Sequence, residues 1–118
     1  MTYVFDIDET ICTSPLIEGT DLPDYDKAEP FMDRITLINN LYDEGNKIIF
    51  QTARGMGRSD NSSAYAYKVF FDLTKQQLDS WGIKYHSLFL GKPDGDVYID
   101  DKAMRDVDFF TTMESARK

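Results

Sequence analysis

Near the start of the chain stands Thr2-Tyr3-Val4-Phe5-Asp6-Ile7-Asp8-Glu9-Thr10, an apolar run that passes into a pair of carboxylates. Thr2 to Phe5 are β-branched or aromatic, with neither Gly nor Pro, which predicts a short strand buried on both faces. Two carboxylates, Asp6 and Asp8, then follow one residue apart. Charged groups are costly to bury unless a cation or a set of donors meets them, so an Asp pair at the end of an apolar strand calls for a partner. Acidic residues after a strand also commonly do no more than start a turn. The two readings separate on whether matching chemistry recurs at the ends of later strands.

Further along, Cys12 to Glu29 is rich in Thr, Ser, Gly, Pro and acidic residues and reads as a loop long enough to cover or shape a site. Pro30 suits the first turn of a helix, with Phe31, Ile35, Ile38, Leu41 and Tyr42 at helical spacing until Gly45. Lys47 to Gln51 form a second strand, ending at Thr52, Ala53 and Arg54. Gly55 to Ser63 is a second polar loop. Ala64 to Trp81 is the longest helical stretch, its Tyr67, Phe70, Phe71, Leu78 and Trp81 reading as core side chains, and Gly82 ends it. Tyr85 to Leu90 read as a third strand, followed by Gly91, Lys92 and Pro93. Asp96 to Ile99 read as a fourth, ending in Asp100 and Asp101, with Lys102 to Arg105 as a short helix. Phe109 and Phe110 add an edge strand or pack the tail down, and the last residues look frayed.

Strands alternating with helices predict an α/β fold: a three-layer, Rossmann-like parallel sheet with right-handed crossovers and helices on both faces. In such sheets ligands sit at the carboxyl ends of the strands. Asp6 and Asp8, Thr52, Lys92, and Asp100 with Asp101 all fall there. That recurrence favours a site over a set of unrelated turns.

At 118 residues the chain is one domain, able to bury a core without disulfides or structural metal. No apolar run approaches a membrane span, and the N-terminus enters a strand without room for a secretory signal, so the expected location is cytoplasmic. A single cysteine, Cys12, agrees with a reducing compartment and reads as a small loop residue, since nothing basic flanks it. The net charge of −8 argues against nucleic acid as a partner, because binding a long polyanion depends on Lys and Arg neutralising phosphates. A small phosphorylated substrate is different: a divalent cation and a few local basic groups can hold it.

Asp6, Asp100 and Asp101 together make a hard oxygen-donor set of the kind that holds Mg²⁺ with waters and a substrate phosphate. Zinc does not suit one His and one Cys, and His86 reads as a packing residue. Beside a metal and the Lys92 ammonium, one Asp can stay ionised and attack phosphorus. The other, on the same side of an extended segment, can act as acid and then as base. Thr52 offers a hydroxyl to the phosphoryl oxygens, and Lys92 a fixed positive charge.

Asp6-Ile7-Asp8-Glu9-Thr10, Thr52 closing a hydrophobic strand, Lys92 before a proline, and Ile99-Asp100-Asp101 resemble, in order, the four motifs of the haloacid dehalogenase superfamily of phosphatases. Thr52-Ala53-Arg54-Gly55-Met56 and Gly91-Lys92-Pro93 are similar to the small phosphatases associated with capsular polysaccharide biosynthesis. The resemblance implies Asp6 as nucleophile and Asp8 as general acid/base. It implies Mg²⁺ held by Asp6, the Asp8 backbone carbonyl and Asp100, with Asp101 assisting, and a phosphoryl group bound by Thr52 and Lys92. Glu9 departs from the pattern, which often has Gly or Asn there. Neither loop is long enough for the cap domain of larger members, so a capless, comparatively open site is expected, which a neighbouring subunit could cover in a homo-oligomer.

A phospho-acceptor receiver module uses similar groups but places its adjacent acidic pair first, whereas here the spaced pair leads. A nucleic-acid 3′-end phosphatase is the main alternative among phosphatases, Arg54 and Arg58 being available to a backbone. Arg54 is read either as touching the non-transferred part of a substrate or as pairing with a loop carboxylate such as Asp24 or Asp26.

Overall fold

A computed structural model of the chain describes residues 1–116. Arg117 and Lys118, in the end read as frayed, lie outside the described residues. The elements run β1 (Thr2–Phe5), α1 (Met32–Asp43), β2 (Lys47–Thr52), α2 (Ser63–Ser80), β3 (Ser87–Leu90) and α3 (Asp106–Ala116). The strands form one parallel sheet in the order β1-β2-β3, with Phe5 opposite Phe50 and Thr52 opposite Leu90. This is an α/β, Rossmann-like fold flanked by helices. The two long loops add nothing larger than the 3-10 turns Tyr25–Lys27 and Gly57–Ser59, so the described residues hold no cap domain.

Alternation along the strands sets the layers. Phe5, Ile48 and Phe50 share one face of the sheet and pack with Ile35, Ile38 and Leu41 of α1, Leu78 of α2 and Phe110 of α3. Burying each such side chain is worth about 1.5–3 kcal/mol before conformational entropy is counted. Positions of the opposite register are more open: Val4 is 53% and Phe89 52% exposed. The expectation that β1 is buried on both faces therefore fails, and the helices draw their apolar contacts from the face carrying Phe5 and Phe50.

The segment read as a fourth strand is a second departure. Asp96 to Ile99 take up no strand structure, and Val97 and Ile99 are 75% and 94% exposed. Three apolar residues bracketed by Asp94, Asp96, Asp100 and Asp101 offer little burial. A strand there, beside β1, would also set Asp100 and Asp101 against Asp6 and Asp8, and like charges side by side are destabilising. β1 consequently pairs with β2 alone among the described residues. The short helix expected over Lys102 to Arg105 is absent. Its place is taken by α3, which carries Phe109 and Phe110 against Phe5 as a helix and not as an edge strand.

Smaller shifts have local causes. Pro30 precedes α1 because it is held in an isolated antiparallel bridge to Cys12, while the Phe31 N–H donates to the Ile11 carbonyl. α2 starts at Ser63 because the Ser62 side chain caps it, accepting from the Tyr65 N–H. His86 stands just before β3, stacks on Tyr42, and accepts the Ile48 N–H through Nδ1 at 3.1 Å. It is a packing residue, though not one within the strand. No described helix is long and apolar enough to cross a membrane.

Candidate active site

β1 delivers its chain end into a tight turn. Ile7 and Ile11 are fully buried, and the N–H groups of Thr10 and Ile11 both donate to the Ile7 carbonyl. With Ile7 held inward, its neighbours Asp6 and Asp8 are only half-buried, as the period-two alternation of extended backbone requires. Glu9 closes the turn at φ 63°, in the left-handed region where a Cβ is unfavourable. The departure from Gly or Asn at this position thus has a physical cost. Because Glu9 is exposed, Glu9→Gly is expected to stabilise the fold by roughly 0.5–1 kcal/mol, the αL penalty less the added freedom of the unfolded chain. A higher midpoint in urea at unchanged slope would show it, and a lower one would exclude it.

Around Asp6 the charges balance incompletely. Lys92, immediately after the Gly91 that follows β3, places its Nζ 3.6 Å from Asp6 Oδ1 and 4.4 Å from the Tyr98 ring centroid. Burial pushes the Asp6 carboxyl above its ordinary value, the Lys92 ammonium pulls it back, and the Asp8 charge adds to the rise. Thr52, at the end of β2, is 1% exposed. Its Oγ1 accepts the Arg54 N–H at 3.1 Å and its carbonyl accepts the Lys92 N–H at 3.2 Å, tying together the turns that follow β2 and β3. The structure therefore brings Asp6, Asp8, Thr52 and Lys92 to one end of the sheet.

Arg54 answers to neither reading made from sequence. It is 1% exposed, and its guanidinium forks onto Asp8 with Nε 3.0 Å from Oδ2 and Nη2 2.9 Å from Oδ1. Nη1 donates to Gln77 Oε1 at 2.6 Å and to Thr74 Oγ1 at 3.3 Å, and the group lies 4.8 Å from the Tyr25 ring centroid. It pairs with Asp8, not with Asp24 or Asp26, and it is not presented to a substrate. Its burial depends on Gly55, whose φ of +79° turns the loop so close to α2 that a Cβ there would stand 2.6 Å from Phe70. The Gly55 N–H donates to the Tyr25 hydroxyl, so the first loop is fastened to the second at the same point.

Gln77, Thr74 and Tyr25 are the residues that sequence reasoning missed. The signal was present in α2: Thr74 and Gln77 continue the stripe begun by Phe70, and a polar side chain on an apolar face needs a buried partner. Cys12 lies under the same pair, its Sγ 3.6 Å from Asp8 Oδ1 and 3.9 Å from Arg54 Nη2. Burial pushes its thiol up to about 12, which keeps it protonated and unreactive.

Asp100 and Asp101 are not gathered with this group. Both are exposed, and Asp100 Oδ1 accepts the Lys102 N–H at 3.0 Å. That bond, with another to Asp101, holds the Asp100 carboxyl below its usual value. Among the described residues no group of three or more His, Cys, Asp or Glu is placed to hold a metal ion. The donor set expected for Mg²⁺ does not fit as arranged: Asp6 is at the centre and the later acidic pair is elsewhere.

No family model matches the chain, and no curated protein matches it. Among solved structures the chain is similar to the crystal structure of a protein target from Vibrio cholerae, with a TM-score of 0.78 and 23% identity. The match covers 99% of this chain and 98% of that one, and at this identity it bears on the fold alone.

Proposed function

We propose that the chain is a phosphoric monoester hydrolase of the haloacid dehalogenase type that works through an aspartyl-phosphate on Asp6. Its substrate in this reading is a small phosphorylated sugar or related metabolite, and its setting the cytoplasm. The observation that carries the reading is the Asp6–Lys92 ion pair at the end of the sheet shared by Asp8 and Thr52. A carboxylate with a fixed cation beside it and a second carboxyl on the same side of the turn can both attack a phosphoryl group and manage the protons. The placement of Arg54 adds support for a small substrate over a nucleic acid, since one of the two cations read as available to a backbone is buried.

In the first step an Asp6 oxygen forms a bond to phosphorus as the ester P–O bond breaks, and the departing oxygen takes a proton from Asp8. In the second, Asp8 takes a proton from water as that water attacks phosphorus, releasing inorganic phosphate and returning Asp6. Lys92 holds negative charge on the transferred oxygens throughout, where a preorganised cation is worth most.

Mg²⁺ belongs to the reading through the sequence resemblance alone, since the acidic pair at Asp100 and Asp101 stands apart. The expected result is that p-nitrophenyl phosphate hydrolysis is lost on exhaustive chelation and restored by Mg²⁺. Full turnover after chelation would remove the metal and leave Lys92 as the main charge on the phosphoryl group. Absence of any phosphomonoesterase activity, with Mg²⁺ supplied and across a panel of phosphorylated metabolites, would sink the proposal itself.

A further inference from the structure

We infer that Arg54 is the positioning residue for Asp8, and that α2 and the first loop serve the reaction through it. For its chemistry the assignment rests on the hydrolase reading; its geometry stands independently. A carboxyl group that must give a proton to a leaving oxygen and then take one from water has to present the same oxygen in the same direction twice. A carboxylate on a short side chain at the lip of a site does not do so unaided. Here both Asp8 oxygens are engaged by one planar group, at 3.0 and 2.9 Å, which fixes the carboxyl plane as well as its distance. Each carboxylate oxygen has two lone-pair sites. The fork takes one on each, and the Cys12 thiol donates to Oδ1 as well, so Oδ2 is the oxygen with a site left for the proton; the Asp8 side chain keeps 20% of its surface exposed for that exchange.

The guanidinium cannot turn away, because each of its edges and one face are occupied. Gln77 and Thr74 hold Nη1 from α2, the Tyr25 ring lies against the plane, and Gln77 Nε2 donates to the Tyr25 carbonyl, which closes the frame. None of the five guanidinium hydrogens is aimed at solvent, since the side chain is 0% exposed. A lysine at this position would keep the charge and lose the fork.

The test compares wild type, Arg54→Lys and Gln77→Leu, each first shown to be folded. In the Lys variant kcat/KM for an alkyl phosphate, whose leaving oxygen needs a proton, is expected to fall by roughly 100-fold, the scale on which a misplaced catalytic group acts. For p-nitrophenyl phosphate, whose leaving group departs without one, kcat/KM should fall by no more than about 5-fold. A burst of p-nitrophenolate matching the enzyme concentration should appear as intermediate hydrolysis slows. Gln77→Leu, which keeps the fork and removes one support, should show the same pattern at about a tenth of the size.

A rise in KM at unchanged kcat would make Arg54 a substrate contact, and equal losses on both esters would make it purely structural; either overturns the assignment. Three-bond couplings at Asp8 give a readout that needs no turnover. One side-chain rotamer is expected in wild type, with averaging in the Lys variant. If neither ester is hydrolysed by wild type, the hydrolase reading falls, whereas a single Asp8 rotamer surviving in the Lys variant overturns the positioning role whether or not the protein is active.

Discussion

Asp6→Asn is expected to lower turnover of any phosphomonoester by at least roughly 10⁴-fold, because an amide cannot form the aspartyl-phosphate intermediate. The same substitution should not harm the fold. Burial raises the Asp6 carboxyl above the value of 3.8 it takes as an unhindered side chain. A group whose native-state value is raised stabilises the fold fully below its unfolded value, and that contribution is lost as pH rises through the native one. At neutral pH the ionised Asp6 is therefore a cost that the neutral amide avoids. The variant should melt above wild type at pH 7, and the gap should close as pH is lowered past 3.8. A protein that melts higher and does nothing identifies a catalytic carboxylate, whereas retained phosphoryl turnover in the amide variant would take the nucleophile's role from Asp6.

The largest loss of stability is expected from Arg54→Ala. Removing one partner of a buried pair leaves the other carboxylate uncompensated, at a cost of about 3–5 kcal/mol. The cut would also strip Gln77 and Thr74 of the group that satisfies them, in a frame where no buried polar side-chain atom is without a partner. Arg54→Ala combined with Asp8→Ala should recover part of this, since the stranded charge is gone. Chemical unfolding of Arg54→Ala, Asp8→Ala and the double variant measures the coupling directly. A single Arg54→Ala that unfolds within about 1 kcal/mol of wild type would show that the pair contributes little beyond an exposed ion pair.

The sheet was legible because its strands differ sharply from what surrounds them. Thr2 to Phe5, Ile48 to Phe50 and Leu88 to Leu90 are runs of apolar, aromatic or β-branched residues bounded by polar ones, and helices fill the intervals. Asp6, Asp8, Thr52 and Lys92 followed from knowing where strands end in such a sheet. What was not legible depended on competition between segments. Asp96 to Ile99 has strand-like residues, yet its flanking carboxylates and slight apolar content leave it unpaired, an outcome set by what it would sit beside and not by its own pattern. Arg54 shows the converse. Its position two residues past Thr52 suggested a role at the site, but its partner lies 46 residues away, and only the close packing at Gly55 determines which carboxylate it meets.

The outer position of β1 has a consequence for how these molecules meet one another. Among the described residues nothing pairs with its free side, which carries a row of N–H and C=O groups, and Thr2 to Phe5 contain no charge or proline to discourage a strand from a second molecule from adding to that template. The guard falls instead to long-range repulsion between copies that each bear a net charge of −8. Repulsion of that kind reaches about 10 Å at 0.1 M salt and about 3 Å at 1 M. The colloidal behaviour of the protein is thus coupled to ionic strength through uncharged edge strands, one of which leads directly into Asp6.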